Sequence, residues 1–204
     1  MVIQKVCSGM VMSNSYFVGD GEKGVLIDVG ADADDIFKMV DKAKMEPKMI
    51  LLTHCHFDHI ESLNIVREAY HIPVGIHRED AAGLINPRQN GSILIGVQMI
   101  FDEAEVMLFD GQEIEVGSIT YQVIHTPGHT MGGICFLAED CLFCGDTIFK
   151  LSVGRTDLGD GDHRLLIQSI KDRILSLGNH IKLYPGHGPF TTVKDERSAN
   201  PFIQ

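Results

Sequence analysis

Residues 53–62 read THCHFDHIES, which sets His54, His56, Asp58 and His59 within six positions, directly behind the apolar run 49–52. A polar loop can be histidine-rich by chance. A strand that ends in HxHxDH, however, places groups able to hold a metal at one point in space. In extended chain, His54 and His56 point to the same side and can share one ion. Asp58 and His59 follow where the strand turns into the next helix, so they can face a second ion beside the first.

The rest of the chain repeats this habit. His125 and His129 lie in IHTPGHT, Asp146 in CGDT and His187 in YPGHG, each next to Gly or Pro just past an apolar run. Such residues make tight turns at strand ends. With His125 set aside as a turn or orienting histidine, seven donors remain: His54, His56, Asp58, His59, His129, Asp146 and His187. They are imidazoles and carboxylates without an obvious thiolate, a donor set for one or two divalent ions. Asp146 is a carboxylate able to bridge two ions. Two metals about 3.5–4 Å apart can hold a hydroxide between them near neutral pH. Two divalent ions, two carboxylates and that hydroxide leave roughly one positive charge. An anionic small molecule is therefore tolerated, although the chain carries a net charge of −11.

Around these motifs the periodicity alternates between strand and helix. GVLIDVG (24–30) and KMILLTH (48–54) predict strands. Between them ADADDIFKMVDKAKM predicts a helix capped by Asp32 or Asp34 and stopped by Pro47. A helix over 60–70, a strand over 72–77, a β-meander from 106 to 129, a strand at DCLFCGDTIF, an amphipathic helix over 163–177 and a strand at HIKLYPGHG follow. Residues 84–101 predict a pocket-lining loop or lid. Two stretches echo each other: a strand ending in Asp, a helix, then a strand ending in His (VLIDVG to ILLTHCH; LFCGD to IKLYPGH). The echo suggests two similar βαβ-type halves whose strand ends meet at a common edge.

The bulk properties narrow the function. The 204 residues suit one domain, 1–204, with a substantial core. The acidic balance argues against nucleic acid and against anionic membrane surfaces. No apolar run approaches the ~20 residues of a membrane span. The N-terminus lacks the pattern of a secretory signal, so a cytoplasmic location is expected. Five irregularly spaced cysteines do not make a disulfide framework. The Cys141–Cys144 CxxC lies in an apolar strand and reads as structural. Cys55, between two donors, alternates away from them. His71, His77, His163 and His180 read as surface or packing residues.

Taken in order, these motifs resemble the metallo-β-lactamase superfamily, whose fold is a four-layer αββα sandwich with a metal site at one edge of the two sheets. Within it, GRTDLGDGDH (154–163) and YPGHGPFTTVKDERSANPF are similar to short hydrolases of the glyoxalase II group. The resemblance implies that His54, His56 and His129 bind one metal and that Asp58, His59 and His187 bind the other, with Asp146 bridging. It implies that Asp58 also handles the proton of the hydroxide, and that Asp28 orients a ligand histidine through its ring N–H. Arg155 stands where longer glyoxalase II enzymes contact glutathione; a surface ion pair with Asp157 or Asp160 is its other reading. Zinc is the foremost metal expected, with iron or manganese suited to the same donors.

The chain departs from the pattern in carrying Glu61 and Ser62 in place of glycines after HxHxDH. Only 17 residues follow His187, which leaves no room for the helical domain that grips glutathione. Asp146 stands where secreted β-lactamases use cysteine, so antibiotic hydrolysis is not the expected role. The implied activity is hydrolysis of a thioester such as S-2-hydroxyacylglutathione, or of another ester or lactone. The alternative enzyme class is a mononuclear iron persulfide dioxygenase, with His54, His129 and Asp146 as iron ligands. A non-catalytic interaction module would be expected to have lost a donor, and none is missing. Oligomeric state is not legible.

Overall fold

Side chains in each central strand alternate between two apolar surroundings, and that alternation builds the layers. The computed structural model of the chain describes residues 1–203; Gln204, the last position of the expected 1–204 domain, lies outside the described residues. A first sheet runs in the spatial order β1 (Val2–Ser8), β2 (Ser13–Gly19), β3 (Lys23–Ile27), β4 (Glu46–Leu51), β5 (Val74–His77), β6 (Val106–Leu108). It is antiparallel through β3 and parallel from β3 to β6. The second sheet is built from β7 (Glu113–Val116), β8 (Ile119–His125), β9 (Ile134–Ala138) and β10 (Cys141–Gly145), which form an antiparallel meander. A two-stranded hairpin, β11 (Ile148–Phe149) and β12 (Ser152–Val153), follows. β13 (Lys182–Pro185) then returns parallel to β10, and β14 (Thr191–Thr192) closes the second sheet's edge.

Val25 and Ile27 of β3, Met49 and Leu51 of β4, and Phe136 and Phe143 of the second sheet fill the space between the sheets. Their alternate neighbours Leu26 and Ile50 face the other way, onto α1 (Ala33–Ala43) and α3 (Leu63–Tyr70). Leu142 and Cys144 likewise turn outward under α4 (His163–Ser169) and α5 (Val193–Ala199). The layers therefore stack as αββα, as expected. The echoed halves are real parallel units: β3–α1–β4 and β10–α4–β13. Both open their C-terminal strand ends toward the same edge.

Several local expectations are corrected. The helix after β3 ends before Pro47: Lys44 takes the left-handed conformation (φ 55°) and its N–H returns to Val40 O. Pro47 instead sits in β4 beside a register shift opposite Gly24, where its missing N–H breaks no regular ladder. Asp32 occupies the cap position of α1 without a side-chain capping bond. Val106–Leu108 joins the first sheet rather than the meander. The amphipathic segment from 163 is α4 followed by a π-helical turn, Ile170–Ile174. Its buried stripe, Leu166, Ile170 and Ile174, is spaced strictly by four. Such a stripe drifts by about 40° per step on an α-helix, and one wider turn rotates it back.

The helix over 60–70 divides into α2 (Phe57–Ile60) and α3, with Ser62 at the junction. Among the described residues no helix is long and apolar enough to cross a membrane, and all five cysteines are free thiols.

Replacing Phe136, fully buried between the sheets, with alanine is expected to cost about 3–5 kcal/mol, measured by urea unfolding. A loss below about 1 kcal/mol would mean that the inter-sheet layer is not tightly packed.

Candidate metal centre

The seven donors converge where the C-terminal ends of β4, β10 and β13 meet the turn after β8. They form two groups, His54–His56–His129 and Asp58–His59–Asp146–His187, each with ligand atoms within 4.8 Å of one another. His56 Nδ1 lies 2.9 Å from His129 Nε2. In the second group His187 Nε2 is 3.1 Å from Asp58 Oδ2, and His59 Nε2 is 3.2 Å from Asp146 Oδ1. Asp146 reaches toward both groups, since its Oδ2 lies 3.6 Å from His129 Nε2 and 3.7 Å from His187 Nε2.

Burial makes this arrangement costly. His54 Nε2, His59 Nε2 and Asp146 Oδ1 are buried without a hydrogen-bond partner. A buried polar atom left unpaired costs about 1–3 kcal/mol; His54 Nε2 is one such atom, and His59 Nε2 and Asp146 Oδ1 face only each other, at 3.2 Å. Desolvation, reinforced by the neighbouring imidazoles, drives His54 far below its ordinary pKa. Burial and the adjacent His129 push His56 down to about 3. Neutral imidazole is the form that binds metal. Burial works against ionisation of Asp146 and Asp58, yet the imidazoles around them, His59 first, hold both carboxyls below the usual range. Against their burial, His59 and His187 are held above their ordinary pKa by the carboxylates beside them, so a bound cation would displace a proton there. Neutral imidazoles at His54 and His56 together with ionised carboxylates fit divalent cations.

The orienting contacts are equally specific. Asp28 Oδ2 accepts from His59 Nδ1 at 2.8 Å and from Thr53 Oγ1 at 2.8 Å, while Oδ1 accepts from Thr53 N at 2.8 Å. His59 thereby presents Nε2 to the cluster. Thr53 Oγ1 also lies 3.0 Å from His54 Nδ1, so Asp28 organises two donors rather than one. Asp28 takes φ 55° without being glycine, a strained backbone state. Gly186 packs so closely that a Cβ there would lie 2.3 Å from Asp146 Oδ1 and 2.4 Å from His59 Cε1. Only glycine fits between them.

Asp80 and the Arg155 carbonyl escape the sequence reading. Asp80 Oδ2 accepts from Cys55 N at 3.0 Å and Thr130 Oγ1 at 2.8 Å, and Oδ1 accepts from Gly132 N at 2.8 Å. It ties the HxH turn to the turn after His129, and its burial raises its pKa against these bonds. Its one sequence signal is an acid just beyond a strand's C-terminal end, as at Asp28 and Asp146. Arg155 acts through its backbone: its carbonyl oxygen lies 2.7 Å from His129 Nδ1, which leaves Nε2 for the cluster. Its guanidinium meanwhile makes a two-pronged pair with Asp157 at 2.7 and 2.8 Å.

Glu61 does not reach the donors; its Oε2 accepts from Met10 N at 3.1 Å, which pins the β1–β2 turn. Ser62 donates to Ala31 O at 2.7 Å. His125 stacks on His77 at 4.2 Å and stays outside both groups. Cys55 is buried against Gly83 in the outer core.

Two substitutions test the cluster. Asp28→Asn is expected to weaken metal affinity about 10–100-fold, measured by competition with a chromophoric chelator. Gly186→Ala should reduce bound metal per chain and lower metal-free stability by about 1–3 kcal/mol; full metal content with unchanged stability would contradict the close packing described.

Comparisons with known proteins establish the family. The metallo-beta-lactamase superfamily pattern matches residues 8–187. A probable metallo-hydrolase of Streptococcus pyogenes serotype M6 is 35% identical over 100% of this chain and 90% of its own length. The hydroxyacylglutathione hydrolase GloC of Haemophilus influenzae is 29% identical over 93% of this chain and 92% of its own. Among solved structures, BLEG-1 B3 metallo-beta-lactamase superposes with a TM-score of 0.95 at 36% identity, covering 100% of both chains. TTHA1623, solved in a di-iron-bound form, gives 0.88 at 34% identity over 98% and 99%. ETHE1 from Myxococcus xanthus gives 0.83 at 27% identity, covering 98% of this chain and 84% of its own. With the pattern spanning nearly the whole chain and the sandwich superposing end to end, the chain belongs to the metallo-beta-lactamase superfamily.

Proposed function

We propose that the chain is a metal-dependent hydrolase whose substrate is a small-molecule thioester, with S-2-hydroxyacylglutathione the first to test. The observation that carries the reading is Asp58: a carboxylate lining an open cleft of about 780 Å³, 3.1 Å from His187 in one donor group, with the other group lining the same cleft through His56 and His129. The similarity to GloC supports a thioester in particular. Divalent ions held by His54, His56 and His129 and by Asp58, His59, Asp146 and His187 would supply Lewis acidity, making water nucleophilic near neutral pH and polarising a carbonyl. Zinc is the first choice; the di-iron relative supports iron as the alternative.

The protein's own groups do the rest. Asp58 orients the attacking water and accepts its proton. Water oxygen bonds to the carbonyl carbon, the C–S bond breaks, the electron pair leaves with sulfur, and the proton returns to the departing thiolate. Asp28, Thr53 and the Arg155 carbonyl hold the imidazoles, so little reorganisation accompanies charge development.

Protein purified without added metal or chelator is expected to carry about two ions per chain by elemental analysis, and to cleave thioesters faster than lactones or β-lactams. Asp58→Asn should lower kcat about 10²–10⁴-fold, compared at equal metal content. Faster cleavage of a β-lactam, the chemistry named for BLEG-1, would overturn the thioester reading. A single iron with oxygen uptake on glutathione persulfide would replace it with the dioxygenase.

A further inference from the structure

The cleft wall beside the donors is apolar, with the Phe149 ring 6.2 Å from that of His187, and this has consequences for what lies on it. Three separate segments contribute: Val11 from the β1–β2 turn, Leu94 and Ile95 from the 3₁₀ turn Ser92–Ile95, and Phe149 and Val153 from the β11–β12 hairpin. Leu94 is 66% exposed, Val11 46% and Ile95 44%. Large apolar side chains from distant parts of a chain, gathered at one mouth with their surfaces open, are the pattern of an apolar ligand site.

The wall is also held in place. Asn90 Nδ2 donates to Gly83 O and Met99 O, each at 3.0 Å, and its Oδ1 accepts from Ser92 N at 3.0 Å. Phe57 N donates to Asn90 O at 2.8 Å, joining this loop to the HxHxDH segment. On the other side Glu61 fixes the turn that carries Val11. Thus two features the sequence left open, the 84–101 loop and Glu61, serve the same wall. Among its described residues the one cationic side chain beyond the donor histidines is Arg155, already paired with Asp157. The wall therefore offers little to a charged tripeptide such as glutathione.

We infer that this wall binds the acyl half of the substrate, and that the preferred class is thioesters with an uncharged aliphatic acyl chain of several carbons. The inference rests on the hydrolase reading above but makes a separate claim. The test uses acetyl, butanoyl and hexanoyl thioesters of the neutral thiol N-acetylcysteamine. Turnover by the metal-loaded protein is one readout. The other is binding, followed by displacement of the fluorescent amine N-phenyl-1-naphthylamine from metal-free protein, a measurement helped by the absence of tryptophan.

From acetyl to hexanoyl, both kcat/KM and affinity are expected to rise about a hundredfold. In Leu94→Gln combined with Val11→Gln, that ratio should fall below about tenfold. Ile100→Gln, exposed on the same loop but outside the cleft, should leave the ratio as it is. Turnover without any chain-length dependence would overturn the inference and leave the thioesterase standing. A binding ladder without hydrolysis of any thioester would do the reverse. Equal ladders in wild type and the double variant would also overturn the inference, because the selectivity would then arise elsewhere.

Discussion

The carboxylate of Asp28 is the contact on which the centre depends. It lies at the end of β3, buried, and accepts from the backbone and hydroxyl of Thr53, two residues past β4, and from His59 on α2. One side chain thus locks the ends of two parallel strands and the following helix into a single register. The strained φ of Asp28 is the cost, of order 1–3 kcal/mol. Three hydrogen bonds, two of them to the HxHxDH segment's own anchor residue Thr53, offset it. The donors are held before any ligand arrives, and in this sense the centre is built by the scaffold.

That pre-organisation explains why so many polar atoms are tolerated in a buried place. Unpaired nitrogen and oxygen atoms in the interior are unfavourable for the fold alone. Here they are gathered by two β–α–β units whose parallel strands both release the chain at the same sheet edge. Each unit contributes an acid from its first strand and a histidine from its second: Asp28 and His54 in one, Asp146 and His187 in the other. The acids serve differently. Asp28 is turned inward to orient imidazoles, whereas Asp146 stands between the two donor groups.

Much of this was legible in the chain. Period-two alternation distinguishes the faces of β3 and β4, because sheets packed on both sides need apolar residues on both. The HxHxDH, PGHT, GDT and PGH turns carry donor chemistry that short spacing and flanking Gly or Pro make local. Errors arose where local pattern competed with tertiary context. Proline suggested a helix stop, but a left-handed lysine had already ended the helix. Strand-like 106–108 completed the first sheet because β5 offered a free parallel edge. The strict four-residue stripe of 163–177 forced one π turn.

The sequence by itself indicated alternating strands and helices, two βαβ-type halves and seven candidate donors, since side-chain chemistry and periodicity are properties of short segments; the αββα class followed from the family its motifs resemble. Beyond Asp28, which the family resemblance already implied, only the tertiary structure decided what steers those donors. Arg155 works through a carbonyl that every residue type possesses, Asp80 bridges the turns at Cys55 and Thr130, which are far apart in the chain, and Glu61 serves the β1–β2 turn rather than its own neighbours. Likewise the apolar wall exists only once Val11, Leu94 and Phe149 are brought together. Backbone groups carry no signature in the sequence, and contacts between distant loops are set by the packing of the sheets beneath them.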